Sequence, residues 1–372
     1  MRFFLNTIFI ILYMLQSTKQ FNILILGCFI ILLSSVFVLD RKKVILPKYF
    51  ISALLIYLFY LLIGLLNWHN NMLLDIKFQF FAFAFFFCMI NIRTNLIKLL
   101  FYINTLVFII YGLLYFDLIP NIWNDNTFGF GGRIYGPPII SINFLLFFYL
   151  LNNKPFDRKL VFASLMGLIY IALTTNFMNL AVFFALILLL VVNFKKLLKP
   201  VYIISFLIVI LIGILYLNSP FVPELVSAKM QYVYQPWNYA SLRTRLDDLI
   251  QILDKENFGI FKQIFGEGFG TSSEIYRYNE VSVSLSDTFI FQEIDNGFYY
   301  LYHRGGWSLL TLFILAHLYL TLKIREIKAK LGFIALVFIT CILSIHYFNY
   351  WFYMLIPYFI IYKQAMPINI KL

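Results

Sequence analysis

The chain is written in long apolar runs separated by short polar breaks. Runs of roughly 17 to 25 apolar residues are the length that crosses a bilayer as a helix. On that template spans are predicted near 3–16, 21–39, 49–66, 74–91, 96–116, 137–151, 159–175, 178–194, 200–217, 297–322, 331–345 and 347–362. The run from Phe3 to Leu15 follows a single basic residue, Arg2, in the manner of a signal peptide. No small-residue cleavage site follows it, so a retained first span is expected. The predicted class is therefore an all-α polytopic membrane protein of about a dozen spans.

The breaks between runs carry a second pattern. Alternate connections hold Arg2, then Arg41, Lys42, Lys43 and Lys48, then Arg93 and Lys98, then Lys154, Arg158 and Lys159. The series continues with Lys195, Lys196 and Lys199, then Lys323, Arg325, Lys328 and Lys330, and ends at Lys363 and Lys371. The opposite short connections hold only Lys19. Lys and Arg mark the cytoplasmic side, which predicts an even number of spans with both termini in the cytoplasm.

Composition agrees with this reading. The chain is 62% hydrophobic and 12% charged, too little polar surface to cover a soluble globule. A net charge of +12 is compatible with nucleic-acid binding, but the basic residues sit in clusters between apolar runs rather than on one face of a domain. Topology accounts for them, and no nucleic-acid partner is expected. Cys28, Cys88 and Cys341 lie far apart inside apolar stretches, which is neither a disulfide framework nor a metal spacing.

Two outer segments break the rule of short connections. One, from Asp117 to Gly136, is rich in Pro, Asn and Gly. The other, from Asn218 to Asp295, far exceeds the roughly 2–8 residues that join bundled helices, and such loops are usually functional. The chain thus divides into nine spans over 1–217, a large outer loop over 218–295, and three spans over 296–372. Within the loop, Ser241 to Phe258 places Leu242, Leu246, Leu249, Ile250 and Leu253 at helical spacing behind a Ser N-cap. An amphipathic helix lying on the membrane or on the bundle is predicted there. The FGEGFG that follows reads as a tight turn; it lacks the Lys of a P-loop and no strand is predicted before it.

Outer charges are few enough to weigh singly. Arg133, in GGRIYGPP, reads either as a snorkelling interfacial arginine or as a ligand-binding one, and its place on the non-basic side favours the second. Arg243 and Arg245 open the predicted helix, where an anion is better suited than a cation. Facing a phosphate, their planar forks bind two oxygens at once. The competing reading is a solvated face satisfied by Asp247 and Asp248, preferred for Arg245 and balanced for Arg243.

Asp295 stands at the mouth of the next span, with His303, Arg304 and two glycines a turn or two deeper. Ionisable groups at such depth usually face the bundle interior or a watery cavity. Asp295 and His303 are candidate general bases, and Arg304 is a candidate anion ligand or partner of Asp295. Asp295 reads equally as a helix cap. Asp75 and Lys77 read as a local pair, and His317 and His346 as packing histidines.

These features together resemble the O-antigen polymerases of Wzy type. The resemblance rests on the span arrangement, the long outer loop before the third-last span, Arg133 followed by Gly and Pro, LRTR, IFGEGFG and DNGFYYLYHRGG. The related ligases carry a His-Asn pair where this chain has Asp295 and Asn296. The resemblance implies a metal-independent, cofactor-free glycosyltransferase of the bacterial inner membrane with a periplasmic site. It would move a glycan from undecaprenyl pyrophosphate onto a second lipid-linked repeat unit, with inversion. For this chemistry Asp295, Arg133 and Arg243 are the expected catalytic residues, and Arg245, His303, Arg304 and Tyr135 the expected substrate-binding residues; the family's base carries over to Asp295 only where it replaces the histidine. It also admits a chain-length regulator as a partner beside the lipid bilayer. A ligase and a lipid-linked oligosaccharide flippase are the alternatives, although no internal repeat of the kind expected in a transporter is seen.

Overall fold

A computed structural model describes residues 2–15, 22–39, 45–69, 71–92, 96–120, 137–152, 158–173, 177–191, 240–255, 259–277, 287–291, 295–349 and 352–362, with single positions between 200 and 219. Among these the chain is almost entirely helical. Eight helices come first: α1 Arg2–Leu15, α2 Asn22–Leu39, α3 Lys48–Leu66, α4 Met72–Ile92, α5 Leu96–Tyr115, α6 Pro137–Leu151, α7 Arg158–Leu173 and α8 Phe177–Val191. They fall on the predicted apolar runs because, in hydrocarbon, a helix alone satisfies every backbone group of a single segment. The run near 200–217 is described only at isolated positions.

The large loop contributes α9 Ala240–Lys255, α10 Ile260–Phe265 and a hairpin of β1 Ser273–Arg277 with β2 Asp287–Phe291. The strands pair antiparallel, with Ile275 opposite Phe289. This hairpin has no counterpart in the sequence reading. The chain then returns through α11 Gly297–Lys323, α12 Ile327–Leu343, α13 His346–Asn349 and α14 Phe352–Ile361. Three helical stretches, Lys48–Leu66, Ile97–Leu114 and Gly297–Lys323, are long and apolar enough to cross a membrane; Phe3–Leu12, Ile23–Val36, Ser141–Leu151, Met178–Val191 and Phe352–Ile361 are shorter apolar stretches.

One apolar core joins the helices, with α8 against α12, α5 against α6, α2 against α4 and α4 against α14. Aromatic rings fill much of it, as where Phe144 of α6 stacks on Phe352 of α14 with centroids 3.8 Å apart. A smaller cluster of Ile252, Ile275 and Tyr299 fastens α9 and β1 to the first turn of α11. The predicted apolar stripe on α9 therefore divides. Leu249 packs inward beside Ile252, whereas Leu246, Ile250 and Leu253 face outward. The helix begins at Ala240, so Ser241 is not its cap.

Candidate functional site

The longest helix, α11, is broken near its start. Gly306 has φ 58° and ψ −161°, a conformation outside any helix and essentially confined to glycine. Such a break withdraws the N–H groups that would have served the carbonyls one turn earlier, and buried carbonyls need partners. The GEGFG turn supplies them. Glu267 N–H donates to His303 O at 3.0 Å and Gly268 N–H to Arg304 O at 2.9 Å. The Tyr60 and Ser308 hydroxyls serve Gly305 O at 3.3 and 2.9 Å. The turn is tied equally to α3, through Phe269 N–H to Tyr60 O at 3.2 Å.

This docking explains the glycines of both motifs. Gly266, Gly268 and Gly270 have φ of 73°, 86° and 89°. A Cβ on Gly268 would fall 2.1 Å from Gly64 N, and one on Gly266 would fall 2.4 Å from the Arg304 carbonyl carbon. HRGG and GEGFG thus form one locus, a broken helix repaired by a loop.

Arg304 and Asp75 are locked together at this locus. Arg304 Nε and Nη2 donate to the two Asp75 carboxylate oxygens at 2.9 and 3.0 Å, and each side chain is at most 3% exposed. Gly270 N–H donates to the same carboxylate at 2.6 Å, and the guanidinium lies 3.9 Å above the Tyr300 ring. This corrects two expectations. Asp75 does not pair with Lys77, because residues two apart on a helix point to different faces. Arg304 does not pair with Asp295, which stands on the rim rather than in the interior.

On the rim, Arg245 Nε and Nη2 donate to Asp295 Oδ2 at 3.2 and 3.0 Å. Arg245 was expected to meet Asp248 or solvent. The packing of α9 on the start of α11 buries Asp248 and brings Asp295 within reach instead. Nor is Asp295 the cap of α11. Asn296 is, its Oδ1 accepting from Tyr299 N–H at 2.9 Å. Arg133 and Tyr135 lie outside the described residues, and Arg243 is described only as backbone within α9.

A second polar cluster had no forecast in the sequence. Glu267 Oε1 accepts from Lys262 Nζ at 2.8 Å, and Oε2 accepts from the Thr271 hydroxyl at 3.0 Å. Thr271 Oγ1 lies 3.2 Å from His303 Nε2. Burial pushes the Glu267 carboxyl up, but the Lys262 ammonium, with His303 and Thr271, outweighs it and holds the group below the usual carboxylate range.

An ionised carboxylate only accepts, so the single Thr271 proton goes to Glu267, and His303 Nε2 must carry a proton to donate to Thr271. His69 reaches the cluster from α3. Its Nε2 donates to Glu267 O at 3.0 Å and lies 3.8 Å from Oε2. The helix delivers it through a left-handed Trp68 at φ 55°, with Trp68 N–H on Leu65 O and His69 N–H on Gly64 O. That is a Schellman ending with a bulky residue where glycine is usual.

Beneath the locus, a cavity of about 350 Å³ opens between α3, α4, α11 and α14. It runs from Tyr49, in the first turn of α3, to Phe269 and Arg304. The stretch of α3 from Tyr49 to Tyr60 alone spans roughly 16 Å at 1.5 Å per residue. Its wall is mainly aromatic and aliphatic. Gln79 provides a polar bridge, donating to Tyr300 Oη at 3.2 Å and accepting from Tyr353 Oη at 2.6 Å. His317, also in the wall, has both ring nitrogens engaged, by Phe313 O and by the Tyr347 hydroxyl at 2.8 Å each. It packs as expected.

Of the residues singled out in the sequence, the structure gathers His303 and Arg304 at the broken helix and pairs Arg245 with Asp295 beside it. Sequence reasoning missed Glu267, Thr271, Lys262 and His69 as a cluster, and gave Asp75 a different partner. The one available signal was the odd carboxylate inside a run of glycines. Comparison with protein-family models, with curated proteins and with solved structures gives no match for this chain, so its geometry and its residues carry the functional reading.

Proposed function

We propose that this chain is a repeat-unit polysaccharide polymerase of the O-antigen type. In this reading it lies in the bacterial inner membrane with about twelve spans and both termini in the cytoplasm, and residues 218–295 form a periplasmic loop. The observation that carries the reading is the joining of an apolar, aromatic-walled cavity to a polar cluster at a broken helix. That combination suits a substrate with a long hydrocarbon tail and a polar head, as a polyprenyl-linked glycan has. The basic inner connections and the resemblance in DNGFYYLYHRGG and IFGEGFG support it further.

The chemistry is a direct displacement. The acceptor hydroxyl oxygen attacks the anomeric carbon of the donor glycan, the bond to the pyrophosphate oxygen breaks, and the leaving pyrophosphate keeps the electron pair. Arg133 and Arg243 are assigned to the charge that develops on it. Arg245 and Asp295, paired with each other, belong to the rim of the same site, with Tyr135 as a stacking surface for sugar. Arg304 is already neutralised by Asp75, so its part is to hold the locus in shape. The bilayer and, in this reading, a chain-length regulator are the remaining partners.

Deletion of the gene tests the reading at the cell surface. A polymerase loss leaves lipid A core bearing one repeat unit; a ligase loss leaves none attached, and a flippase loss leaves none delivered. Either of the latter outcomes rejects it. Topology is tested by reporter fusions, with Asn152, Phe194 and Lys363 expected in the cytoplasm and Asn124 and Asn257 outside. An external signal at Lys363 would overturn the even span count.

Arg133→Ala and Arg243→Ala are each expected to slow polymerisation about 100- to 1,000-fold. Lys should restore little at either position, because a point charge does not reproduce a two-pronged contact. Chain length on gels, at matched protein levels, reads the effect. Wild-type chains from both Ala variants would remove these residues from the site.

A further inference from the structure

Among the described residues, the site holds three candidate proton acceptors, and their surroundings separate them. His303 is 4% exposed, and its Nε2 is committed as a donor to Thr271. Asp295 has a side chain 47% exposed, in an ion pair open to water. Glu267 lies between these extremes, 15% exposed. Its backbone N–H is fixed to the carbonyl of His303, the residue before Arg304 at the end of the cavity.

The groups around Glu267 are all donors directed at it. Lys262 and Thr271 take one carboxylate oxygen each. His69 Nε2 and Asn67 Nδ2 both donate to its backbone carbonyl, at 3.0 and 2.9 Å, and a carbonyl can only accept. Each carboxylate oxygen has a second lone pair, so an incoming hydroxyl can still donate to it. The other carboxylate of the locus, Asp75, is 2% exposed and is held by three donors, two from Arg304 and one from Gly270.

We propose that Glu267 is the catalytic base of the outer site, taking the proton of the acceptor hydroxyl as glycosyl transfer proceeds. The inference rests on the polymerase reading above. As the oxygen–anomeric carbon bond forms and the carbon–pyrophosphate bond breaks, the hydroxyl proton passes to a Glu267 carboxylate oxygen and the leaving group carries away the electron pair. Lys262 keeps the carboxylate ionised before reaction. Thr271 and His303 hold its second oxygen in place, and His69 with Asn67 fixes the backbone from which the side chain springs. They are positioning residues.

The test uses the purified full-length protein and the lipid-linked repeat unit that accumulates in the deletion strain. Wild-type protein that builds no chains from this substrate rejects the polymerase reading itself, whatever Glu267 does. With an active wild type, Glu267→Gln should lower turnover about 100- to 10,000-fold. KM should change little, and the acidic limb of the rate profile should disappear. Lys262→Met removes the ammonium that holds the carboxyl low, so that limb should move to higher pH. Lys262 is about half exposed, so this variant should fold even where Glu267→Gln does not. Glu267→Gln turnover within tenfold of wild type with the acidic limb intact would overturn the assignment. So would an unmoved limb in Lys262→Met, or a limb lost in Asp295→Asn but kept in Glu267→Gln.

Discussion

Arg304→Ala is expected to destabilise the protein by about 3–5 kcal/mol, the usual cost of removing one partner of a buried ion pair. The variant leaves the Asp75 carboxylate in the interior with only Gly270 N–H to satisfy it. It also strips the guanidinium from the face of Tyr300. Asp75→Ala should cost a similar amount from the other side. The informative comparison is the double variant Asp75→Leu with Arg304→Met, which removes both charges and keeps apolar volume. It should be more stable than either single change, because exchanging a buried pair for hydrophobic groups is often neutral or better. Thermal unfolding of detergent-solubilised protein reads all four states. A double variant that loses the full sum of the two single effects would show that the charges act independently.

Gly306→Ala is expected to be comparably damaging for a different reason. The residue sits at φ 58°, and holding an alanine there costs about 1–3 kcal/mol in backbone strain. Its Cβ would also lie 2.5 Å from Gln263 O and from the Ile264 carbonyl carbon, backbone atoms of α10 that cannot swing aside. Overpacking of this kind adds about 1–3 kcal/mol. The variant should unfold at markedly lower temperature and should separate the GEGFG turn from α11, taking Glu267 away from His303. Gly27→Ala is the matched control. Gly27 lies in α2 with open space at its Cβ, and alanine there should leave stability equal or slightly higher. Equal unfolding temperatures for Gly306→Ala and wild type would mean that α11 can close its break without harm.

Both predictions concern contacts between segments far apart in the chain, and this is where reading the sequence stops. Apolar runs determined the helices because hydrophobic length and internal hydrogen bonding are local properties, satisfied within one segment. Asp295-Asn296-Gly297 could be read as the entry to a helix for the same reason. The choice of Asn296 over Asp295 as cap turned on a shift of one residue in where the helix starts, at Gly297. The glycines of HRGG and GEGFG were legible as turns, but not as two halves of one joint.

Asp75 and Arg304 are 229 positions apart, and nothing local distinguishes Arg304 from a free anion ligand. Only the packing of α4, α11 and the returning loop makes it half of a buried pair. Glu267 was similarly silent. A carboxylate in a glycine turn gains meaning once the docking of that turn on the broken helix sets His303 and His69 beside Glu267 and its chain neighbours Lys262 and Thr271. The sequence by itself determined a chain of apolar helices, some long enough to cross a membrane, with one long connection rich in candidate chemistry, since hydropathy and charge act along the chain. The tertiary structure alone decided which charges neutralise each other and which carboxylate stays reachable, since both depend on distances between segments that the chain does not encode locally.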